Sequence, residues 1–329
     1  MNNGRRTGLK NNWSRNGNEE KKSITKKWIG WVLLYTIGFS TFLFSKEVSK
    51  DKNQLLFDAV VSENLTEIKR LLDLGADPNS ILHPCRFNDS LGQSINYQLP
   101  NRCFLWDLVF ELNLTKALPL LIQKGLKATY ERSYVGDVLS FAIYLEKLEI
   151  VQILLQHGFK DNDGIALEIA AVHCNLPILK LLLKSGLDPN ASKGRLDLIG
   201  SSLAGAAYKD CSSAAVELIQ AGADVNKLIT WGLRLPIERA IESGARDVYF
   251  VLKKAKAEFN PETGLNIAKE KHKETEREIK GWEKAEESEV NRKIYNHPNK
   301  EQELKHLNGK LEKYNDIIKD LESTLKNRK

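Results

Sequence analysis

The sequence lacks the short motifs that mark many catalytic and metal-binding proteins. Its four cysteines include no Cys-x-x-Cys pair, which argues against a zinc ribbon or a thioredoxin-like redox site. It contains neither a Gly-x-Gly-x-x-Gly stretch nor a phosphate-binding Gly-x-x-x-x-Gly-Lys stretch. We therefore expect no catalytic residues, no metal and no cofactor, and we predict that the protein is not an enzyme.

Surplus charge is also scarce. The formal net charge is +6, and residues 1–27 account for it, because they carry eight Lys or Arg against two acids. Residues 258–329 carry sixteen charges of each sign. The positive excess thus belongs to an N-terminal tail and not to a groove for nucleic acid, so we expect no nucleic-acid partner.

Residues 28–44 contain no charged side chain. As a helix they would span roughly 25 Å, at the short limit for crossing a bilayer. Trp28 and Trp31 suit the membrane interface, and the lysines before them can extend toward the headgroups. A cleaved signal peptide is the alternative, but the preceding basic region is long and Leu43-Phe44-Ser45 is a poor cleavage site. We predict an uncleaved anchor.

The flanks of this segment predict its orientation. The tail of residues 1–27 is strongly basic, whereas Lys46, Lys50 and Lys52 on the other side are mixed with acids. The positive-inside rule keeps the tail cytoplasmic and exports everything after a linker at residues 45–53. In a bacterium this describes a single-pass inner-membrane protein whose larger part lies in the periplasm.

A unit of two helices and a turn recurs between residues 54 and 260. The interval from an alanine in the first helix to a glycine in the turn is the same in four units: Ala59 to Gly75, Ala142 to Gly158, Ala170 to Gly186 and Ala206 to Gly222. Two units are irregular, because Gly125 comes one residue late and Lys256 replaces the last glycine. Each unit is too small to bury an apolar face alone, so the units must stack.

These units resemble the ankyrin repeat, most clearly in Gly-Ala-Asp-Pro-Asn at 75–79, Gly-Leu-Asp-Pro-Asn at 186–190 and Gly-Ala-Asp-Val-Asn at 222–226. The resemblance covers residues 54–260, interrupted by an insertion at 81–103. It implies an all-α solenoid of about six repeats that binds other proteins and has no built-in reactive site. The Thr-Pro-Leu-His motif of the family is poorly kept.

The resemblance also implies where a partner binds. The residue before the first-helix alanine should line the inner face of the stack: Asp58, Phe141, Ile169 and Arg239, with Gly205 leaving a gap and Asp107 as the equivalent in the irregular second unit. Phe141 and Ile169 side by side would form an apolar anchor. The alternative is that both pack beneath a loop.

The loops add further candidates. The insertion is rich in Asn, Ser and Pro, and long loops without secondary structure are more often functional or disordered than neutral. Tyr, Trp and Arg are enriched in binding hot spots. The loop candidates are Arg86, Phe87, Tyr97, Tyr130, Arg132, Tyr134, Trp231 and Arg234. Ordinary loop variation is the alternative.

The cysteines suggest one crosslink. Cys85 and Cys103 bracket the insertion, and in an exported domain a disulfide between them would restrain the unfolded chain by about 3 kcal/mol. Cys174 and Cys211 belong to adjacent repeats, whose spacing is usually too wide for a disulfide. We interpret these two first as small buried hydrophobic residues and only second as a pair.

Residues 261–329 form a charged arm with the pattern of two helices. An alternating three-and-four spacing connects Leu304, Leu307, Leu311, Tyr314, Ile318, Leu321 and Leu325. His297-Pro298 separates this helix from the one before it. We prefer a helical hairpin that folds back on itself or on the last repeat. A dimerising coiled coil through residues 300–328 is the alternative, because so short a stripe is marginal by itself.

Three functions fit this organisation. The first is a membrane-anchored adaptor that binds a protein partner outside the cytoplasm. The second is an immunity protein that neutralises a secreted antibacterial toxin, since some bacterial immunity proteins resemble anchored ankyrin domains. The third is an envelope scaffold or chaperone-like partner of a resident enzyme. A toxin gene beside this one would favour the second, and co-purification of a resident enzyme would favour the third.

Overall fold

The computed structural model describes residues 51–82, 87–88, 94–95, 103–128, 137–161, 165–191, 201–228, 234–284 and 300–328. The predicted tail and anchor, residues 1–44, lie outside these ranges. None of the helices within them has both the length and the apolar character that a bilayer crossing requires.

Six pairs of short helices follow one another along the described residues. The pairs are α1 (Lys52–Val61) with α2 (Leu65–Asp73), α3 (Leu105–Leu112) with α4 (Leu118–Gln123), α5 (Val138–Tyr144) with α6 (Leu148–Gln156), α7 (Ala166–Val172) with α8 (Leu176–Lys184), α9 (Ser202–Tyr208) with α10 (Ser212–Gln220), and α11 (Pro236–Ser243) with α12 (Arg246–Lys254). The fold is an all-helical solenoid, as predicted.

Side chains at the helix starts explain why these short segments are helical. The Asn64 side chain accepts a hydrogen bond from the Glu67 amide at the start of α2, and Asn175 does the same at the start of α8. Asp137 accepts from the Ser140 amide at the start of α5. Each cap satisfies an amide that has no partner inside its helix, typically worth about 1 kcal/mol.

Every repeat turns twice through left-handed backbone. The turn between the two helices has positive φ at Glu63, Asn113, Glu146, Cys174, Asp210 and Gly244, and the turn after the second helix has it at Gly75, Gly125, Gly158, Gly186, Gly222 and Lys256. The interval between these two positions is the same in all six repeats. Gly125 is therefore in register, and the residue in the alanine position of the second repeat is Val109.

The core runs along the first helices, which contact one another across successive repeats. In α9, Leu203, Ala204, Ala206 and Ala207 are almost fully buried. A Cβ on Gly205 would lie 3.0 Å from the Glu168 carbonyl oxygen of α7. The prediction that Gly205 leaves a gap is therefore wrong. Its missing side chain is what lets the backbones of α7 and α9 approach this closely.

The insertion contains backbone pairing that the sequence did not reveal. Strand β1 (Phe87–Asn88) pairs antiparallel with β2 (Ser94–Ile95), with Phe87 opposite Ile95. Leu82 and Cys103 exchange two backbone hydrogen bonds of 3.0 and 3.1 Å, which bring the two ends of the insertion together. The expectation of an insertion without secondary structure thus fails at these positions.

Two long helices, α13 (Pro261–Lys284) and α14 (Lys300–Lys326), pack antiparallel against each other. Lys269 and Glu322 form one ion pair between them, at 2.8 Å. The buried face of α14 contains Leu307, Tyr314, Ile317 and Leu321. Ile317 is more deeply buried than the predicted Ile318, because α14 contacts α12 as well as α13 and so buries a wider face than a simple heptad stripe.

Polar contacts hold α14 on the last repeat. The Tyr249 hydroxyl donates to Asp320 at 2.7 Å, and Arg246 pairs with Asp316 at 2.9 Å. Burial, followed by the hydrogen bond to Asp320, raises the pKa of Tyr249 well above its usual value, so the hydroxyl keeps its proton. The hairpin therefore closes the open end of the stack.

Candidate protein-binding surface

Three of the predicted inner-face residues are partly accessible to solvent. Asp58, Phe141 and Arg239 are each half-buried on their first helices. Asp58 accepts a hydrogen bond from Gln54 at 3.1 Å, and Arg239 pairs with Glu242 at 3.0 Å. These residues are thus placed where a partner can reach part of each side chain.

Two other predicted residues are buried. Ile169 is 4% exposed and Asp107 is 7% exposed. Asp107 accepts a hydrogen bond from the Phe104 amide at 2.8 Å and so caps the start of α3. Because Val109 takes the alanine position, the residue before it is Leu108, which is fully buried. Ile169 belongs to the core, so an exposed anchor built from Phe141 and Ile169 does not exist.

The neighbours of Phe141 are aromatic. Its ring contacts Phe110 of the preceding repeat, with centroids 5.1 Å apart, and Tyr144 of its own helix at 6.4 Å. Tyr144 in turn contacts His173 of the next repeat at 5.3 Å. Phe110, Phe141, Tyr144 and His173 form an aromatic row across three repeats. Tyr144 and His173 were not among the predicted binding residues. Both lie at the C-terminal ends of first helices.

The loop candidates lie mostly outside the described residues. This applies to Arg86, Tyr97, Tyr130, Arg132, Tyr134 and Trp231. The backbone of Phe87 lies in strand β1. Arg234 is half-buried and reaches Glu242 at 3.5 Å, the same carboxylate that Arg239 contacts. The structure therefore joins Arg234 and Arg239, which the sequence had assigned separately to a loop and a helix.

Tyr208, at the end of α9, is 47% exposed and was not predicted. The Arg239 guanidinium lies 5.3 Å from the centre of its ring, and the Lys209 ammonium lies 5.4 Å from it. Both distances are within the range of cation–π attraction. The sequence did offer a signal for Tyr208. A large side chain directly after a run of small residues does not fit between closely packed helices and is therefore expected to point outward.

The turns between the paired helices form an edge of the stack, and the crosslinks along this edge differ. Glu63 pairs with Lys116 at 3.8 Å, and Glu146 with His173 at 3.1 Å. Farther along, Asp210 accepts hydrogen bonds from the amides of Asp247 and Val248. Each contact joins one repeat to the next.

Between the fourth and fifth repeats this edge is joined by a disulfide between Cys174 and Cys211. Our preferred interpretation of the two as unpaired buried residues is therefore wrong. Cys174 is the left-handed residue of its turn, whereas Cys211 lies one place after the equivalent Asp210. This offset brings the Cα atoms to 5.6 Å, within the usual disulfide range. Cys103 is also disulfide-bonded, and its predicted partner Cys85 lies outside the described residues.

Within the described ranges, no group of three or more His, Cys, Asp or Glu residues is arranged to hold a metal ion. Of the predicted inner-face residues, Phe141 contacts the preceding repeat and Arg239 forms an ion pair. Asp58 and Asp107 make hydrogen bonds within their own helix or at its start. The arrangement presents a row of aromatic and charged side chains of the kind that suits contact with another macromolecule.

A family model described as ankyrin repeats, in three copies, matches residues 109–193. No curated protein matches the chain. Among solved structures, the chain is similar to the ankyrin repeat domain of Bcl-3, described as a unique member of the IkappaB protein family. The identity is 22% over 62% of this chain and 86% of that one, with a TM-score of 0.48.

The chain is also similar to an ankyrin repeat domain from Acinetobacter baumannii AYE. Here the identity is 20% over 62% of this chain and 98% of that one, with a TM-score of 0.47. The family-model match lies within the row of six helix pairs, which share the same two turns throughout. Residues 109–193 thus match ankyrin repeats, and the helix pairs before and after them have the same two turns.

Proposed function

We propose that this protein is a membrane-anchored, non-enzymatic binding module that captures a protein partner on the extracytoplasmic side of the inner membrane. The observation that carries the binding function is the stack of ankyrin repeats, which are protein-interaction modules. Residues 28–44 supply the anchor, and the short linker that follows keeps the repeats close to the bilayer.

The cysteines support the extracytoplasmic location. Cys103, Cys174 and Cys211 are all disulfide-bonded. Disulfides persist in oxidising compartments such as the periplasm and are rare in the reducing cytosol. The basic tail before residue 28 leads to the same orientation by an independent argument.

The aromatic row supports the binding role. Phe141 is half-buried, and its ring contacts Phe110 of the preceding repeat and Tyr144 of its own helix, so these rings restrict it while part of it stays accessible. Rigid aromatic side chains lose little conformational freedom on binding and dominate many interfaces. The half-buried Arg239 adds a cation farther along the same series of first helices.

Affinity purification with the full chain tests this proposal. We expect the Phe141→Ala variant to recover at least about tenfold less of the partner, because removing a hot-spot side chain commonly costs this much affinity. Phe250→Ala is the matched control, since Phe250 is 40% exposed but lies on a second helix, α12. Circular dichroism must show equal helix content in both variants.

Equal loss of partner in both variants, or no loss in either, would remove Phe141 from the binding surface. The captured partner also separates the three functions. A secreted toxin would support the immunity protein, and a resident enzyme would support the scaffold.

Location is tested by peptide mapping after thiols are blocked in intact cells. We expect the peptides that contain Cys174 and Cys211 to remain crosslinked under non-reducing conditions. Recovery of both cysteines as blocked free thiols would contradict an extracytoplasmic location.

A further inference from the structure

A cleft of about 880 Å³ lies between the C-terminal hairpin and the last two repeats. Its walls come from the ends of α9 and α11 on one side and from the facing sides of α13 and α14 on the other. A cleft of this size is in the range that binds ligands. Since the hairpin forms more than half of the lining, the site is not a feature of the repeats alone.

The charged residues of the cleft are mostly cationic. Six Lys or Arg side chains line it against four acids. Three of these acids already have a cation at ion-pair distance: Asp210 with Lys313 at 2.7 Å, Glu242 with Arg239 at 3.0 Å, and Glu274 with Lys271 at 2.7 Å. These pairs neutralise three acids and three cations, and Glu278 is the fourth acid of the lining.

Cations without such a partner remain. Lys209, Lys305 and Lys310 form no ion pair with any residue in the described ranges. Arg239 uses its Nη1 atom for Glu242, while its Nε atom is buried without a hydrogen-bond partner among the described residues. The three lysines therefore leave unpaired positive charge on the lining of the cleft.

Tyr208 supplies a flat, accessible surface in the same place. Its ring is about half-exposed and lies close to the cations of Lys209 and Arg239. Tyrosine and arginine are both enriched in hot spots of protein interfaces. It contacts the apolar part of a ligand while the surrounding cations contact acidic groups.

The cations lie on different elements: Lys209 follows α9, Arg239 lies within α11, and Lys305 and Lys310 lie along α14. Such a distribution fits several carboxylates along an extended chain better than one small anion. We propose that this cleft binds an acidic, extended segment of a protein partner. The inference deepens the proposed function and rests on it, because it names the class of segment that the repeats and the hairpin hold together.

The test uses the full chain in detergent micelles and a fluorescein-labelled peptide of ten glutamates, followed by fluorescence anisotropy. We expect saturable binding that weakens as salt is raised. The triple variant Lys209→Glu, Lys305→Glu and Lys310→Glu should bind at least about tenfold more weakly, because each reversal replaces an attractive charge by a repulsive one.

A charge-matched control carries Lys184→Glu, Lys254→Glu and Lys319→Glu, three exposed lysines that do not line the cleft. It should retain binding within about twofold of the unaltered chain. Both triple variants must have melting curves like that of the unaltered chain, so that lost binding is not lost folding. The change in net charge is the same in both, which separates a local site from general attraction.

The proposal is overturned if the glutamate peptide does not bind, or if the two triple variants lose equal affinity. It is also overturned if a ten-nucleotide thymidine oligonucleotide binds more tightly than the peptide, because the site would then select phosphate. These results leave the proposed function intact wherever Phe141→Ala still reduces partner capture. If the unaltered chain binds the glutamate peptide and the triple variant Lys209→Glu, Lys305→Glu and Lys310→Glu no longer captures the partner, the partner's acidic segment lies in the cleft.

Discussion

At the scale of single residues, all six repeats share the left-handed turn positions. Each repeat ends its second helix at a residue with positive φ, which is a glycine in the first five repeats and Lys256 in the last. A side chain in this conformation brings Cβ close to the following carbonyl oxygen, and glycine avoids that contact. Lys256, with φ of 63°, is exposed and makes no compensating ion pair among the described residues.

We therefore expect Lys256→Gly to stabilise the protein. Relief of the strained backbone should exceed the entropy that glycine loses on folding, for a net gain of roughly 0.5–1 kcal/mol in the free energy of unfolding. Urea denaturation followed by circular dichroism measures this gain.

Gly222→Ala is the opposite test, because Gly222 has φ of 92° and no atom within 4 Å of the added Cβ. It should lower stability by about 1 kcal/mol or more. If Lys256→Gly instead lowered stability, the long side chain of Lys256 would have a contact that outweighs its backbone strain.

At the scale of helices, adjacent repeats are joined along the turn edge by contacts of different strength. An exposed pair such as Glu63 with Lys116 contributes at most about 1 kcal/mol. The disulfide between Cys174 and Cys211 contributes more to stability, because it restricts the conformations of the unfolded chain between two repeats. The fourth and fifth repeats should therefore separate least readily.

The double variant Cys174→Ser with Cys211→Ser should lose about 2–4 kcal/mol of stability through the greater freedom of its unfolded chain. Differential scanning calorimetry of the variant and the unaltered protein would measure the loss. A reducing agent should lower the melting temperature of the unaltered protein. If the reducing agent lowered the melting temperature of the double variant by the same amount, the effect would come from another disulfide.

At the scale of the whole molecule, the hairpin covers the end of the stack, which would otherwise expose the apolar side of the last repeat. Repeat proteins need a terminal element of this kind, since an uncovered end is insoluble. The hairpin lies close to the last repeat at Gly244, where a Cβ would lie 3.0 Å from Cζ of Tyr314. The Tyr314 hydroxyl donates to the Glu242 carbonyl oxygen at 2.7 Å.

Gly244→Ala should therefore loosen the hairpin. The added methyl group displaces the Tyr314 ring, and overpacking of this kind typically costs about 1–3 kcal/mol. We expect the amides of α14 to exchange with solvent about tenfold faster or more, as measured by hydrogen exchange with mass spectrometry. Gly222→Ala, which strains the backbone without touching the hairpin, should leave α14 exchange unchanged. Equal acceleration in both variants would mean that Gly244 acts only through its own backbone.

Much of the fold was accessible from the sequence. The repeated two-helix unit was predicted from the recurring alanine-to-glycine interval and is confirmed by the six helix pairs, and the resemblance to ankyrin repeats is confirmed for residues 109–193. The second repeat was misaligned by one position, because Val109 replaces the small residue that set the register elsewhere. This single shift led to Asp107, a helix cap, where an inner-face residue was expected.

The partner-binding residues were harder to predict from the sequence. Phe141 and Arg239 are half-buried, Ile169 belongs to the core, and the exposed Tyr208 was not predicted. Sequence position alone does not show how closely α7 and α9 approach, and that distance decides whether a side chain of either helix is covered. The membrane anchor, the extracytoplasmic location and dimerisation through residues 300–328 stay predictions.

What the sequence determined by itself is the local geometry: where each helix begins and ends, and where the backbone must turn left-handed. These properties depend on residues a few positions apart, so they can be recognised without knowing the fold. Only the tertiary structure decided that Cys174 is bonded to Cys211, that α7 and α9 approach closely at Gly205, and that the hairpin and the last repeats form a shared cleft. Each of these depends on the distance between helices that are far apart along the chain, and packing alone sets that distance.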